Sequence, residues 1–249
     1  MGATVCQAVA DDPDLELVAA VDPFHAGLDL RQVTGVDLPL SLVADAEALD
    51  GLDVDVVVDF TQLDPARANM LSLARSGIHA VVGTTGFTDD DIETFRSVFT
   101  RSNCVIAPNF AIGAVLMMRF AEMAAPYFEA AEIIELHHDQ KVDAPSGTAM
   151  LTLKRMAASS EDWIPDPTTN EVISGVRGGK GPGGIGVHSV RLRGLVAHQE
   201  VLLGTTGQTL TIRHDSYDRS SFMPGVLLAV KAVGDRKGVT VGLEALLDL

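Results

Sequence analysis

The segment from 132 to 150, EIIELHHDQKVDAPSGTAM, combines side chains that could carry out acid–base chemistry on an anionic small molecule. An apolar stretch ends at His137 and His138, and Lys141 follows three residues later. Histidine exchanges protons near neutral pH, and lysine supplies a fixed positive charge. Because the two histidines are adjacent at the end of a predicted strand, their rings should face opposite sides of the sheet. One ring can then enter a cleft as a general acid, whereas a lone buried histidine would more often be structural.

The same segment continues with a turn that can bind an anion. The run from 145 to 148, Pro-Ser-Gly-Thr, predicts the start of a helix that ends near Ala158. Free N–H groups and the dipole at a helix N-terminus attract a carboxylate, and Lys141 would add a full charge. A simple capped helix start is the alternative. Asp139 and Asp143 are interpreted as loop carboxylates, and no closed ligand set for zinc is present, so we expect no metal.

The elements that must position this chemistry fall into two patterns. In the first half, apolar runs at 15–21, 54–60, 78–82 and 104–107 alternate with capped helices. This alternation is typical of a doubly wound, parallel Rossmann-like sheet in an α/β fold. After Pro108 the pattern changes to a helix, the histidine strand, and runs that favour antiparallel pairing.

The second half of the chain predicts an α+β domain with an open mixed sheet. We expect a helix over 112–127, strands near 187–193, 200–203 and 209–214, and a helix over 221–233. The glycine-rich stretch 175–186 is interpreted as a mobile loop. Residues 239–246 predict either an edge strand or a return to the first domain. We therefore place the first domain at 1–108 with 216–249 and the second at 109–215.

The ends of the parallel strands are the expected place for a ligand. Asp22 could accept a hydrogen bond from a ribose hydroxyl, although an ordinary strand-end aspartate is equally compatible with this position. The turn at 83–86, Gly-Thr-Thr-Gly, allows close backbone approach, but it could also be a plain turn. The polar run at 107–110 follows the last of these strands.

The chain opens in the middle of the expected dinucleotide motif. Such a fold needs a first strand and a turn of the form G-x-G-x-x-G, which brings N–H groups to a pyrophosphate. The segment MGATVCQAVADDP predicts the helix after that turn, so the first strand is apparently missing. We expect a strand and glycine turn of about ten residues upstream of Met1. Without them the chain should bind a dinucleotide weakly.

Composition narrows the class of protein. A chain of 249 residues with 47% hydrophobic residues can bury a substantial core. The net charge of −16 argues against a nucleic-acid partner, whose phosphates would be repelled. Two cysteines far apart, no basic leader and no long apolar span indicate a cytoplasmic protein without a membrane segment.

The run 132–150 closely resembles the signature of the dihydrodipicolinate reductases, also called 4-hydroxy-tetrahydrodipicolinate reductases, of bacterial lysine and diaminopimelate synthesis. It looks most like the actinobacterial members. Further segments occur in the order and spacing of that family, namely 57–61 (VVDFT), 83–87 (GTTGF), 107–110 (APNF), 187–191 (VHSVR) and 212–216 (IRHDS). The resemblance covers nearly the whole chain, apart from the family's G-A-x-G-R-M-G turn, of which only Met1-Gly2 is present.

This resemblance implies that His137 is the acid–base group and that Lys141 is a second proton-donating or charge-stabilising group. His138, Gly147 and Thr148 would bind the dicarboxylate substrate. The residues implied to hold the cofactor, NADH or NADPH, are Asp22, Gly83, Thr84, Thr85, Ala107, Pro108, Asn109 and Phe110. The implied reaction reduces 4-hydroxy-tetrahydrodipicolinate to tetrahydrodipicolinate with loss of water. Members resemble homotetramers joined through the sheet of the second domain, which also binds substrate.

Two classes of function remain open at this point. The first is an active reductase, which the intact His137 and Lys141 favour. The second is a non-catalytic, truncated homologue that keeps the oligomerising sheet and the dicarboxylate site, which the missing turn favours. A different nicotinamide oxidoreductase is disfavoured by the run DAPSGT. Asp22 followed by Pro23 and Phe24, with no arginine nearby, favours NADH, but basic residues in the missing turn would favour NADPH.

Overall fold

The computed structural model describes residues 1–247, which form two compact units. One unit contains Met1–Ile112 together with the chain from Arg219 onward, and the other contains Gly113–Asp218. Each unit has its own sheet and its own apolar core. Within the described residues, no helix is long and apolar enough to cross a membrane.

The elements follow one another along the chain. The helices are α1 (Gly2–Asp11), α2 (Leu30–Thr34), α3 (Leu63–Ser76), α4 (Asp89–Val98), α5 (Ile112–Ala124), α6 (Gly147–Ser159) and α7 (Met223–Ala232). The strands are β1 (Val56–Asp59), β2 (His79–Val82), β3 (Cys104–Ile106), β4 (Ala130–His137), β5 (Gly179–Lys180), β6 (Gly186–Arg191), β7 (Ala197–Thr205), β8 (Gln208–Ser216) and β9 (Val239–Val241). Short 3₁₀ turns lie at Glu47–Leu49, Ala125–Tyr127, Pro182–Gly184, Arg219–Phe222, Val233–Asp235 and Glu244–Leu246.

The first unit contains the predicted parallel sheet, with strand order β1-β2-β3-β9. Buried residues of α3 and α4, such as Met70 and Phe95, pack with β2 and β3 in one cluster. Thr88 begins α4 with a capping box, in which Thr88 and Asp91 satisfy each other's backbone N–H groups. Gly77 ends α3 in the left-handed conformation that the sequence indicates. The C-terminal strand β9 is the edge strand next to β3.

Two sequence-based expectations for this unit were wrong. The run 15–21 forms no strand; only Val21 makes an isolated bridge, with Val43. A β-rich run becomes a strand only where a neighbouring backbone pairs with it, and among the described residues 15–20 have no such ladder. The pair Asp64-Pro65 predicts an N-cap at Asp64, but helix α3 begins at Leu63, so Asp64 lies in its first turn and is not the N-cap.

The second unit contains the predicted open mixed sheet, with strand order β5-β6-β4-β7-β8. The hairpin β7–β8 turns at Thr206 and Gly207, as the sequence predicts. Strand β6 pairs in parallel with β4, which corrects the expectation that every strand after 187 is antiparallel. One face of the sheet packs on α6, where Ile133, Val201 and Leu153 share a buried core.

The glycine-rich stretch 175–186 also differs from expectation, because it contains β5 and a 3₁₀ turn. Its glycines allow close packing. A Cβ at Gly178 would lie 2.5 Å from the Val187 carbonyl oxygen, and one at Gly181 would lie 2.3 Å from the Leu153 side chain. The glycines of this stretch therefore allow close contacts with the sheet and with α6. A high glycine content does not by itself indicate irregular structure.

Candidate active site

Strand β4 carries the histidine that the sequence predicts as the acid–base group at its carboxyl end. His137 is the last residue of the strand, and His138 is the first residue after it. Because side chains alternate along a strand, Ile133, Glu135 and His137 share one face. Ile133 and Glu135 are fully buried on that face, which is the one covered by α6.

Glu135 is the centre of a buried polar cluster. Its Oε2 lies 2.5 Å from Nδ1 of His137, and Arg191 donates to both carboxylate oxygens at 2.8 Å. The backbone N–H of Ser146 also donates to Oε1, at 3.2 Å. One carboxylate thus joins β4, β6 and the start of α6.

Arg191 extends this cluster to the loop that carries the lysine. Its Nε donates to the Lys141 carbonyl at 3.3 Å, and its Nη2 donates to the Asp143 carbonyl at 2.6 Å. A planar guanidinium can make such paired contacts, whereas a lysine ammonium cannot reproduce their geometry. The predicted residues His137 and Lys141 are therefore joined to one cluster through Glu135 and Arg191.

The side chains of Lys141 and His138 have local partners. Nζ of Lys141 lies 2.8 and 2.9 Å from the two carboxylate oxygens of Asp143. Nδ1 of His138 accepts from the N–H of Gln140 at 3.2 Å, inside the turn that follows β4. Asp143 is thus the counter-ion of Lys141, which is more than the sequence analysis assigned to a loop carboxylate.

The predicted anion site is the start of α6. The side chain of Ser146 caps this helix by accepting from the N–H of Ala149 at 3.2 Å. Gly147 and Thr148 are the first two helical residues, so they lie at the positive end of the helix dipole. A Cβ at Gly147 would meet no atom within 4 Å, so the backbone is open on that side.

The charges of the cluster follow from its burial and hydrogen bonds. Burial disfavours the ionised form of Glu135, but hydrogen bonds from Arg191, Ser189 and His137 outweigh it and lower the pKa of the carboxyl. Burial also lowers the pKa of His137; the hydrogen bond to Glu135 opposes this, and the positive charges of Lys141 and Arg191 reinforce it. At neutral pH Glu135 is ionised, so it can only accept, and Nδ1 of His137 must donate.

In the first unit, the ends of β1 and β2 are organised by Asp59, which is 3% exposed. Its carboxylate accepts from the Thr61 backbone N–H at 2.8 Å, from the Thr84 hydroxyl at 3.2 Å and from the Asn69 side chain at 2.8 Å. The Thr84 hydroxyl also lies 2.9 Å from the Thr61 carbonyl. These bonds bring the predicted residue Thr84 to the strand end and hold the turn after β2.

Gly83 and Phe110 are placed next to the same ring. A Cβ at Gly83 would lie 2.0 Å from the Phe60 ring, which is itself 5.7 Å from the ring of Phe110. Ala107 and Phe110 are buried, and the side-chain oxygen of Asn109 accepts from the Ala111 N–H at 2.8 Å. The remaining predicted residues of this group, which are on the surface, are Thr85 and Pro108.

Asp22 is half-buried in the first unit, directly after the bridge residue Val21. Its carboxylate contacts Nδ1 of His25 and the backbone N–H of Phe24, each at 2.9 Å. The hydrogen bond from His25 lowers the pKa of Asp22, so this carboxylate is ionised at neutral pH. It can accept from a hydroxyl and would repel a phosphate.

Comparison with known sequences identifies the family to which this arrangement belongs. Residues 1–110 match the dihydrodipicolinate reductase N-terminus, and residues 113–247 match the dihydrodipicolinate reductase C-terminus. The chain belongs to the dihydrodipicolinate reductase family. It is 54% identical to the 4-hydroxy-tetrahydrodipicolinate reductase of Mycobacterium sp. (strain KMS) over 235 residues, which cover 92% of this chain and 93% of the relative.

Two further comparisons extend over the whole molecule. The reductase of the same name from Cutibacterium acnes is 49% identical over 256 residues, with 100% of this chain and 95% of the relative covered. The solved structure of a dipicolinate-bound dihydrodipicolinate reductase from Paenisporosarcina sp. TG-14 has a TM-score of 0.86 and 39% identity. That match covers 97% of this chain and 93% of the solved chain. The family assignment from the sequence is therefore confirmed.

Sequence reasoning missed three polar residues that organise these sites in this member of the family. Asp59 and Glu135 lie inside apolar runs, and each is buried with several donors. By sequence alone Arg191 could be a solvated residue or an oligomer contact, but in the structure its guanidinium binds Glu135. A carboxylate in an apolar strand, two residues before a histidine, was the available signal, because positions i and i+2 share a face.

Proposed function

We propose that the chain is an active 4-hydroxy-tetrahydrodipicolinate reductase. It reduces 4-hydroxy-tetrahydrodipicolinate to tetrahydrodipicolinate with NADH or NADPH and releases water, as a step of lysine and diaminopimelate synthesis. The observation that carries this proposal is the buried cluster that holds His137 next to the loop of Lys141 and the start of α6. A non-catalytic homologue would not need this arrangement.

The dicarboxylate substrate would bind to the second unit. The start of α6 at Gly147 and the positive end of its helix dipole suit one carboxylate, and Thr148 lies in the same first turn. Lys141 would offer a full positive charge once the substrate competes with Asp143 for its ammonium. His138, exposed at the end of β4, would contribute a ring nitrogen.

His137 would hold and deliver the proton. With Nδ1 committed to Glu135, its Nε2 is the ring atom that can carry the exchangeable proton. The lowered pKa of His137 makes its protonated form a stronger acid than ordinary histidine. Lys141 would offset negative charge that develops on the substrate.

The first unit would bind the dinucleotide, which supplies the hydride. The residues of this chain fit such a group, since Gly83 begins the turn after β2 and its lack of a side chain lets its backbone pack against the Phe60 ring at the strand end. Ionised Asp22 would accept from a ribose hydroxyl. The other residues that we propose to hold the cofactor are Thr84, Thr85, Ala107, Pro108, Asn109 and Phe110.

We further propose that the first unit is the dinucleotide-binding domain, and that the second binds substrate and forms a homotetramer through its sheet. The sheet face opposite α6 carries Ile134 and Leu202, which suit contact with another copy of the chain. Sedimentation analysis would give the mass of four chains if this is right. The two unpaired cysteines, Cys6 and Cys104, fit a cytoplasmic location.

The decisive experiment measures NADH oxidation by the purified chain with substrate generated in situ, and compares it with His137→Ala. We expect His137→Ala to lose roughly 10²- to 10⁴-fold in kcat, the usual contribution of a positioned acid. His188→Ala is the matched control, because His188 also contacts a β4 glutamate, Glu132, at 2.7 Å. A wild-type chain that oxidises neither NADH nor NADPH would refute the proposed function, and full activity of His137→Ala would refute the role of that residue.

A further inference from the structure

Glu135 and Arg191 form a buried ion pair that contacts both the His137 ring and the loop of Lys141. Glu135 has no exposed surface, and its two oxygens accept from Arg191, His137 and the Ser146 backbone. A buried ion pair alone is weak evidence of stabilisation, because desolvation offsets much of its attraction. Its value here lies in what the two side chains hold in place.

The first group held in place is the ring of His137. Because Glu135 is two residues earlier on the same strand, both side chains project from one face of β4. The 2.5 Å contact between Oε2 and Nδ1 selects the tautomer with the hydrogen on Nδ1. The neutral ring then has its lone pair on Nε2, which is the atom that must take up and release a proton.

The second group held in place is the loop from Lys141 to Asp143, which carries the ammonium. Arg191 donates to the carbonyls of Lys141 and Asp143, so both ends of the segment that carries the ammonium are tied to β6. Through Ser146, the same carboxylate also contacts the residue that caps α6. The proton donor, the cation and the helix start are thereby positioned by one ion pair.

We propose that Glu135 and Arg191 are positioning residues for the reductase reaction: Glu135 fixes the tautomer of His137, and Arg191 fixes the loop of Lys141. The proposal rests on the proposed function, because it assigns these residues to that reaction. Neither residue needs to touch the substrate. Their effect is on the orientation and the proton affinity of groups that do.

The charges around His137 allow a specific test. Glu135 favours the protonated ring, whereas Lys141 and Arg191 disfavour it, and the carboxylate of Asp143 lies on the Lys141 ammonium. Replacing Glu135 by glutamine keeps the shape, removes the negative charge and leaves one acceptor oxygen in place of two. The pKa of His137 should then fall further, because burial and the two cations remain.

The experiment compares Glu135→Gln with Glu132→Gln in the NADH oxidation assay across pH. Glu132 is the matched control: it lies on the same strand but on the opposite face, and it too contacts a histidine and an arginine, His188 and Arg177. We expect Glu135→Gln to lower kcat roughly 10- to 100-fold, a part of the usual contribution of an acid. KM for NADH should stay unchanged.

The pH profile separates positioning from a merely structural role. In Glu135→Gln, the limb where activity falls with rising pH should move to lower pH by about one unit. Glu132→Gln should leave that limb in place. An unmoved limb in folded Glu135→Gln, or an equal movement in both variants, would overturn the assignment. An inactive wild-type chain would instead refute the proposed function.

A measurement on the wild-type chain covers the case in which Glu135→Gln fails to fold. Long-range ¹H–¹⁵N spectra of ¹⁵N-labelled protein report which ring nitrogen carries hydrogen, and the His137→Asn spectrum identifies the signals of His137. We expect the neutral ring to be protonated on Nδ1. Protonation on Nε2 would overturn the positioning role whether or not the chain is active.

Discussion

Helix α7 packs closely on Phe110, the last residue of the 107–110 segment. A methyl group added at Gly225 of this helix should therefore disturb both. Gly225, in the first turn of α7, is buried, and a Cβ built on it would lie 2.1 Å from the carbonyl oxygen of Phe110. It would also lie 3.0 Å from the Leu243 side chain. The Phe110 oxygen belongs to the backbone, so it cannot rotate away as a flexible side chain would. Gly225→Ala should therefore displace α7 or the proposed cofactor segment.

The size of the effect follows from two opposing contributions. Real Cβ contacts essentially never fall below 3.0 Å, so the two segments must separate by roughly 0.9 Å, from 2.1 to 3.0 Å. Overpacking of this kind costs about 1–3 kcal/mol. Alanine is favoured over glycine inside a helix by about 0.5–1 kcal/mol, which offsets part of that cost. We expect a net loss of up to about 2.5 kcal/mol in the free energy of unfolding, with the middle of the range near 1 kcal/mol.

Urea unfolding followed by circular dichroism measures this loss, and fluorescence titration measures the dissociation constant for NADH. Gly234→Ala is the control, because a Cβ there would meet no atom within 4 Å. We expect Gly225→Ala to be less stable than Gly234→Ala and to bind NADH more weakly. Equal stability of the two variants would refute the argument from close packing. Lower stability with unchanged NADH affinity would refute only the link from Phe110 to the cofactor.

Two further predictions concern the first unit. Gly83→Ala should weaken NADH binding more than Gly234→Ala, because its Cβ would lie 2.0 Å from the Phe60 ring; equal dissociation constants would contradict this role for Gly83. Burial and the nearby charge of Asp59 raise the pKa of the Cys104 thiol from 9.0 to about 12. In Cys6→Ser protein, iodoacetamide should therefore label Cys104 only after unfolding, and stability should fall as pH rises above 9, where only the unfolded thiol ionises. Rapid labelling of the folded protein at pH 8 would show that the thiol is accessible.

The sequence alone determined the features that depend on neighbouring residues. The capping box of Thr88, the stop at Gly77 and the turn at Gly207 follow from local chemistry, and the structure has each of them. The same is true of the start of α6 at Ser146. Motif order was also sufficient to identify the family, since those motifs are short contiguous runs.

Features that depend on a distant partner were predicted less well. The run 15–21 has strand composition but only the bridge at Val21, and composition does not say whether a neighbouring strand exists. The glycines of 175–186 suggested irregular structure, while Gly178 and Gly181 in fact allow close contacts with Val187 and Leu153. The parallel pairing of β6 with β4 likewise depends on long-range topology.

The segment from 132 to 150 shows most clearly which features the local sequence determines and which depend on tertiary contacts. Its residue types alone indicated an acid, a cation and an anion site, because histidine, lysine and a helix start have those properties wherever they occur. Only the tertiary structure decided that Glu135 and Arg191 join them. Arg191 is 56 residues from Glu135 along the chain, and the two meet because β6 lies beside β4. The local sequence cannot predict this contact, because the pairing of β4 with β6 brings the two charges together.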